Sequence, residues 1–138
     1  MKMNKSGYAA AFLALALSGA VWAHEGEKHD TAESKGATAV TMTGEIVDMS
    51  CYAAHEGKGP KHAVCAKECV LGGAPIGLLT ADGTVYLLLD NHSKAKAKKP
   101  YQEARTKVAE TVTITGDLYK RGGLPAIVVN KVAAGKAE

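Results

Sequence analysis

The chain has 138 residues, 17 of them basic and 14 acidic, and its first 23 residues carry two of the basic side chains and no acidic one. The remaining 115 residues are nearly neutral, with a net charge of +1, and their only aromatic side chains are four tyrosines. This composition excludes a strongly basic nucleic-acid-binding surface and an aromatic stacking platform, and its length predicts a single domain.

The first 23 residues have the pattern of a secretory signal peptide. Two lysines give a positive start, an apolar run covers Ala9 to Ala20, and Val21-Trp22-Ala23 places small residues before a cleavage point. The apolar stretch is short for a membrane span and charged residues follow it at once, so stable membrane insertion is the weaker interpretation. We predict an exported chain, periplasmic or secreted, that begins at His24, with cleavage after Ala20 as the alternative.

Residues 24–38 are predicted to form a flexible tail, because they contain acidic, basic, glycine and histidine residues and almost no large apolar ones. After cleavage, the free amine and the imidazole of His24 could chelate Cu²⁺ together with His29. Weak and unspecialised binding of divalent metals by a mobile tail is the simpler interpretation of these two histidines.

Five segments of the remaining chain have the apolar patterns of β-strands. The second and third flank Ala81-Asp82-Gly83, which is typical of a tight hairpin turn. Gly44 interrupts the first and predicts a bulge or a bend. The predicted strands cover residues 40–49, 76–80, 84–89, 111–119 and 124–132.

Two short helices and a polar connector complete the expected order of elements. Pro60 favours a helix start and Gly72-Gly73 a helix end, which predicts a helix over residues 61–70. A second helix is expected over residues 100–108, after a lysine-rich connector over residues 91–99 in which His92 is most simply solvated.

This order predicts a mainly β domain over residues 39–134 with the plan of an OB-like barrel. The barrel has five strands, a short Cys/His-bearing helical insert at residues 51–73 after the first strand, and a helix between the third and fourth strands. A small open β-sandwich is the alternative architecture.

The insert holds an unusual concentration of soft metal ligands. All three cysteines of the chain and two of its five histidines lie within nineteen residues, namely Cys51, His55, His62, Cys65 and Cys69. Clustering of this kind indicates a shared metal ion or a disulfide. Neither CxxC nor CxxCH occurs, which argues against thioredoxin-type redox chemistry and against covalent haem.

The spacing of these residues favours a metal site. On a helix, His62, Cys65 and Cys69 share one face, although His62 and Cys69 are roughly 10 Å apart along the axis. Cys51, expected at the end of the first strand, would close the site from outside the helix. The resulting Cys₃His set suits Zn²⁺, the thiols alone suit Cu⁺, and His55 competes for the fourth position.

Two other uses of the cysteines stay open. A Cys51–Cys65 disulfide would close a loop of about 15 residues, stabilise the fold by roughly 3 kcal/mol and leave one spare thiol. Alternatively, Cys65 in the first turn of a helix could act as a reactive thiolate, although no neighbouring base in the sequence supports it.

Asp48 and Glu68 flank the cysteines and are candidates to orient a ligating histidine. No catalytic triad, phosphate-binding loop or paired carboxylates can be recognised. The sequence therefore predicts a protein that is not an enzyme.

Three segments of the chain, TGEIVDMSCY at 43–52, HAVCAKEC at 62–69 and GAPIGLL at 73–79, resemble those of small exported bacterial proteins of unknown function. The resemblance covers most of residues 40–132 and implies an OB-like barrel with a Cys/His site. In its plan the chain is also loosely similar to periplasmic OB-fold metal chaperones, but it lacks the Met-rich and Trp-containing copper motif that some of them use.

The sequence thus predicts an exported protein that binds Zn²⁺ or Cu⁺ through Cys51, His62, Cys65 and Cys69. The competing prediction is a disulfide-stapled binding module without metal, whose barrel face contacts another envelope protein.

Overall fold

A computed structural model describes residues 36–91 and 99–135 of the chain. In chain order the elements are β1 (Thr38–Asp48), α1 (Met49–His55), a 3₁₀ turn (Pro60–His62), α2 (Ala63–Leu71), β2 (Ile76–Thr80), β3 (Val85–Leu89), α3 (Lys99–Thr106), β4 (Thr111–Arg121) and β5 (Leu124–Ala134).

The five strands close into a barrel in the order β1-β2-β3-β5-β4. β1 pairs with β2 along one edge and with β4 along the other, and β3 with β5 is the one parallel pair of the barrel. The prediction of a mainly β, OB-like barrel with an insert after β1 and a helix before β4 is confirmed. The alternative of an open sandwich is wrong, because the pairing of β1 with β4 leaves the sheet no open edge.

The core lies inside the barrel and beneath two of the helices. Alternate residues of β4 point inward, as its period-two pattern predicts. Ala66 and Val70 of α2 and Ala104 of α3 pack on the same core. The largest fully buried aliphatic side chains are Ile46, Val47, Ile76, Leu78, Leu88, Val108, Val112, Ile114, Ile127 and Val129.

Gly44 lies where β1 is paired with both neighbours, opposite Thr80 of β2 and Val112 of β4. A Cβ atom at this position would come within 2.4 Å of the Leu79 carbonyl oxygen. The glycine therefore permits close approach of two backbones. The register shift in the barrel lies instead between Thr115 and Gly116, where β4 pairs with β5.

The first strand ends one residue earlier than predicted, and a helix that the sequence analysis missed begins there. Asp48 is the N-cap of α1, and its Oδ1 accepts a hydrogen bond from the Ser50 amide at 2.9 Å. Because this cap starts a helix at Met49, Cys51 lies in the first turn of α1 and not at the end of a strand.

The helix predicted over residues 61–70 is divided into the 3₁₀ turn and α2. Ala66 and Val70 fix the inner face of α2 against the core. Arg105 of α3 donates hydrogen bonds to the carbonyl oxygens of Val70, in the last turn of α2, and of Ala74, in the segment that follows. The positive charge of Arg105 also lies near the negative end of the α2 helix dipole, and this placement stabilises the helix.

Several predictions concern residues outside the described ranges. They are the signal peptide over residues 1–23, most of the tail over residues 24–38, the proposed chelation by His24 and His29, and the solvated His92 in its lysine-rich connector. Within the described ranges, no helix has the length and apolar character needed to cross a membrane.

Candidate metal centre

Three thiols, one from α1 and two from α2, converge at one place. The Cys51 sulfur lies 3.9 Å from that of Cys65 and 3.8 Å from that of Cys69, and all three sulfurs lie within 4.8 Å of one another. We call Cys51, Cys65 and Cys69 the thiol trio.

Cys51 is the inner member of the thiol trio, with 8 % of its surface exposed. Asp48 fixes the start of its helix, and the Met49 amide donates a hydrogen bond to the Pro75 carbonyl oxygen at 3.0 Å. The Cys51 carbonyl accepts from the Gly57 amide at 3.3 Å. The backbone on both sides of this thiol is therefore held in place.

Cys65 and Cys69 come from successive turns of α2. Residues four apart on a helix lie on the same face, so both thiols are presented to Cys51. Cys65 is exposed and Cys69 half-buried. The thiol trio therefore extends from the interior, at Cys51, to the surface, at Cys65.

The spacing of the sulfurs matches the coordination sphere of one metal ion. With zinc–sulfur bonds of about 2.3 Å, two thiolates are about 3.8 Å apart in a tetrahedron and about 4.0 Å apart in a trigonal plane. The two separations from Cys51, 3.8 and 3.9 Å, fall in this range. The described residues thus include cysteine and histidine groups close enough to hold a metal ion.

All three cysteines are free thiols. A disulfide requires its sulfurs about 2.05 Å apart, whereas those of Cys51 and Cys65, the predicted pair, are 3.9 Å apart. The geometry does not support the disulfide.

A second group of ligands shares Cys51 with the first. One donor atom each of Cys51, His55 and His62 lie within 4.8 Å of one another, and the two imidazole rings meet edge to face at a centroid distance of 5.2 Å. We call these three residues the Cys–His trio. His55 follows Cys51 by one turn of α1, while His62 belongs to the 3₁₀ turn.

The loop between α1 and the 3₁₀ turn folds back, so that His62 lies beside α1. Glu56 ends α1 with a φ of 54°, and the Gly59 amide donates to Glu45 Oε1 of β1 at 2.5 Å. A Cβ atom on Gly57 would lie 2.6 Å from His62 Nε2. Glycine at position 57 is therefore required for the ring to occupy this place.

The Asp48 carboxylate is fully buried beside the thiols. Its contact with Cys51 and the burial of that thiol raise the pKa of Cys51 well above the ordinary 9.0. The Cys51 contact acts to lower the pKa of Cys69, but burial and Asp48 outweigh it and that pKa is also raised.

The pKa of Asp48 itself lies below its ordinary 3.8, because contacts with the Cys51 thiol and the Ser50 amide outweigh the effect of burial. Its Oδ2 atom makes no well-directed hydrogen bond within the described chain, so the thiol contacts are electrostatic and weakly directed.

The structure brings the five predicted ligands together but divides them differently from the sequence analysis. Within the described ranges, His62 lies close enough to Cys51 and His55 to bind the same metal ion. It is not grouped with Cys65 or Cys69. Ligation by the specific set of Cys51, His62, Cys65 and Cys69 stays a prediction. Glu68 is exposed on α2, whereas Asp48, the other flanking carboxylate, is buried among the thiols.

One signal in the sequence could have revealed α1. An aspartate directly before a short segment with few β-branched residues is a common helix start, and Asp48 has this position. Recognition of that cap would have placed Cys51 and His55 one turn apart on one helix face.

No family model, curated protein or solved structure matches the chain. Its function must therefore follow from the chemistry of the site.

Proposed function

We propose that this protein is exported and binds one soft metal ion, Cu⁺ or Zn²⁺, through the thiolates of Cys51, Cys65 and Cys69. The observation that carries the proposal is the spacing of the sulfurs, which corresponds to three ligands around a single ion. Thiolates are the ligands that soft ions prefer in proteins. Three of them complete the coordination of Cu⁺, whereas Zn²⁺ takes a fourth ligand.

The placement of the thiol trio favours binding and handling of the ion over catalysis. Cys51 is buried and its helix is capped, so the inner ligand is held in position before the ion arrives. Cys65 is exposed, so an ion at the site is accessible to an incoming ligand from solvent or from another protein. A site of this kind is suited to accept an ion and to pass it on.

Export is supported by the leader-like first 23 residues. The intact mass of the protein, isolated from the exported fraction without chelator, tests it. We expect a chain that begins at His24 and carries one metal ion with three reduced cysteines. A metal-free chain lighter by two hydrogens would favour the disulfide-stapled binding module.

Metal binding itself is tested by titrating the reduced, metal-free protein with Cu⁺ against a chromophoric chelator. We expect one ion per chain. Single replacements Cys51→Ser, Cys65→Ser and Cys69→Ser should each weaken binding by about 100-fold, since each removes one of three ligands.

Glu68→Gln is the matched control, because Glu68 is exposed on α2 between Cys65 and Cys69. It should bind Cu⁺ as the unmodified chain does. Unchanged affinity in all three cysteine variants would contradict the proposal.

A further inference from the structure

Three donor atoms form a second group that shares only Cys51 with the thiol trio. The sulfur of Cys51 and one ring nitrogen each of His55 and His62 lie within 4.8 Å of one another. Neither Cys65 nor Cys69 belongs to this group. A metal ion held here would have one sulfur and two nitrogen ligands.

Two features of the fold prepare this arrangement. His55 is four residues after Cys51, so both side chains project from one face of α1. His62 returns to the same place because the chain reverses through Glu56 and Gly57, and the Gly59 amide is bonded to Glu45 of β1. The contact of His62 with Gly57 leaves no room for a larger residue at position 57.

The His62 imidazole is not committed to another partner at its Nε2 atom. This nitrogen is buried and makes no hydrogen bond within the described residues. A buried ring nitrogen without a partner is costly, and a metal ion bound at Nε2 would take the place of the missing hydrogen-bond partner.

We infer that Cys51, His55 and His62 form a second metal site, selective for a borderline divalent ion of the Zn²⁺ class, which shares Cys51 with the thiol site. The inference rests on the proposed function in that Cys51 serves both sites. Imidazole nitrogens suit Zn²⁺ better than the softer Cu⁺. Zn²⁺ therefore binds the Cys–His trio and Cu⁺ binds the thiol trio.

The shared sulfur opposes simultaneous occupation of the two sites. Two cations bonded to one thiolate would be at most two bond lengths, about 4.6 Å, apart in a partly buried place, where their repulsion is weakly screened. Cu⁺, which binds thiolates most strongly, therefore displaces Zn²⁺ from the Cys–His trio by recruiting Cys51 to Cys65 and Cys69. The protein thus releases a divalent ion when it loads a monovalent one.

Two combined variants separate the sites. His55→Gln with His62→Gln should lower Zn²⁺ affinity by at least about 100-fold and leave Cu⁺ affinity unchanged. Cys65→Ser with Cys69→Ser should do the reverse. Cys51→Ser should weaken the binding of both ions. Equal Zn²⁺ affinity in the double histidine variant and the unmodified chain would overturn the second site, whereas affinities for both Cu⁺ and Zn²⁺ that are unchanged in the double cysteine variant would overturn the proposed function alone.

Gly57→Ala is a second test that keeps all three ligands. The added Cβ displaces the His62 ring, so Zn²⁺ affinity should fall while Cu⁺ affinity and the unfolding midpoint in urea stay as they are. Glu56→Gln, an exposed neighbour, is its control. Unchanged Zn²⁺ affinity in Gly57→Ala would remove His62 from the site.

Exclusive occupation is tested by native mass spectrometry of the Zn²⁺-loaded protein during addition of Cu⁺. We expect the species with one zinc to be replaced by a species with one copper. A dominant species that contains both ions would overturn the shared-ligand arrangement.

Co²⁺ in place of Zn²⁺ reports on the number of thiolates directly. Its thiolate charge-transfer band should keep its intensity when Cys65 and Cys69 are replaced, because only Cys51 contributes a sulfur. A fall of this band to about one third would instead place the divalent ion on the thiol trio.

Discussion

Asp48 performs two separable tasks at the beginning of α1. Its Oδ1 atom caps the helix by accepting from the Ser50 amide, and its negative charge lies beside the Cys51 thiol. The first task requires only a hydrogen-bond acceptor, and the second requires the charge. Asn, which caps helices about as well as Asp, therefore separates them.

The pKa shift of Cys51 predicts a pH dependence of stability in the metal-free chain. Because this thiol ionises above its ordinary pKa of 9.0 in the folded state, its contribution to the free energy of unfolding is complete below pH 9.0 and is lost as the pH rises above that value. Asp48→Asn brings the pKa back towards 9.0, so this variant should lose less stability than the unmodified chain between about pH 8 and about pH 10.

Urea unfolding of the reduced, metal-free proteins at several pH values measures this difference. Asp48→Ala removes both the charge and the cap, so its free energy of unfolding should be about 1 kcal/mol below that of Asp48→Asn at every pH. Equal pH slopes in Asp48→Asn and the unmodified chain would mean that Asp48 does not act on the thiol.

The sequence was sufficient to identify the candidate metal ligands. It was not sufficient to divide them into the thiol trio and the Cys–His trio. Cys51, His55, His62, Cys65 and Cys69 were all identified by composition and clustering alone. Their division into two groups depends on how the chain turns back at Glu56 and Gly57. No sequence pattern in this loop predicts the direction of that turn.

At the scale of elements, α2 is held by its contacts with α3. Arg105 donates to the carbonyl oxygens of Val70, in the last turn of α2, and of Ala74, just after the helix, while Ala66 and Val70 anchor its inner face. The position of Cys69, one residue before Val70, therefore depends on a side chain that is thirty-six residues further along the chain.

Arg105→Met tests this anchoring. The variant keeps an aliphatic side chain but loses the donors, so the free energy of unfolding should fall by about 1.5–3 kcal/mol. Cu⁺ affinity should fall with it, because the end of α2 is less firmly held. Gln102→Met, at an exposed position of α3, is the control. Stability equal to that of the control would show that these hydrogen bonds do not hold α2.

The elements with strong local signals were predicted closely. Asp82 and Gly83 identified the β2–β3 hairpin, and β2 has the predicted bounds of residues 76–80. Residues 49–55 were missed as a helix because seven residues are too few for a clear helical period. The Asp48 cap, rather than periodicity, determines this element.

For the whole molecule, barrel closure depends on places where two backbones approach closely. Gly44 permits β1 to pair with β2 and β4 at the same point. The sequence predicted a bulge or a bend at Gly44, whereas the structure has a close approach of two backbones there. This could not be predicted, because the approaching strand is distant in the chain.

Gly44→Ala should destabilise the barrel by about 1–3 kcal/mol, because its Cβ must displace the Leu79 backbone. Gly72→Ala is the control, since Gly72 has a helical φ of −70° and the nearest contact of its added Cβ is at 3.3 Å. Thermal unfolding of both variants measures the difference. A loss no greater in Gly44→Ala than in Gly72→Ala would contradict this view of barrel closure.

The most direct test of the account as a whole is X-ray absorption at the copper edge of protein loaded with one equivalent of Cu⁺. The thiol trio predicts a first shell of three sulfur atoms, reduced to two in Cys65→Ser. A first shell with two or fewer sulfur atoms in the unmodified protein would contradict a site built from Cys51, Cys65 and Cys69.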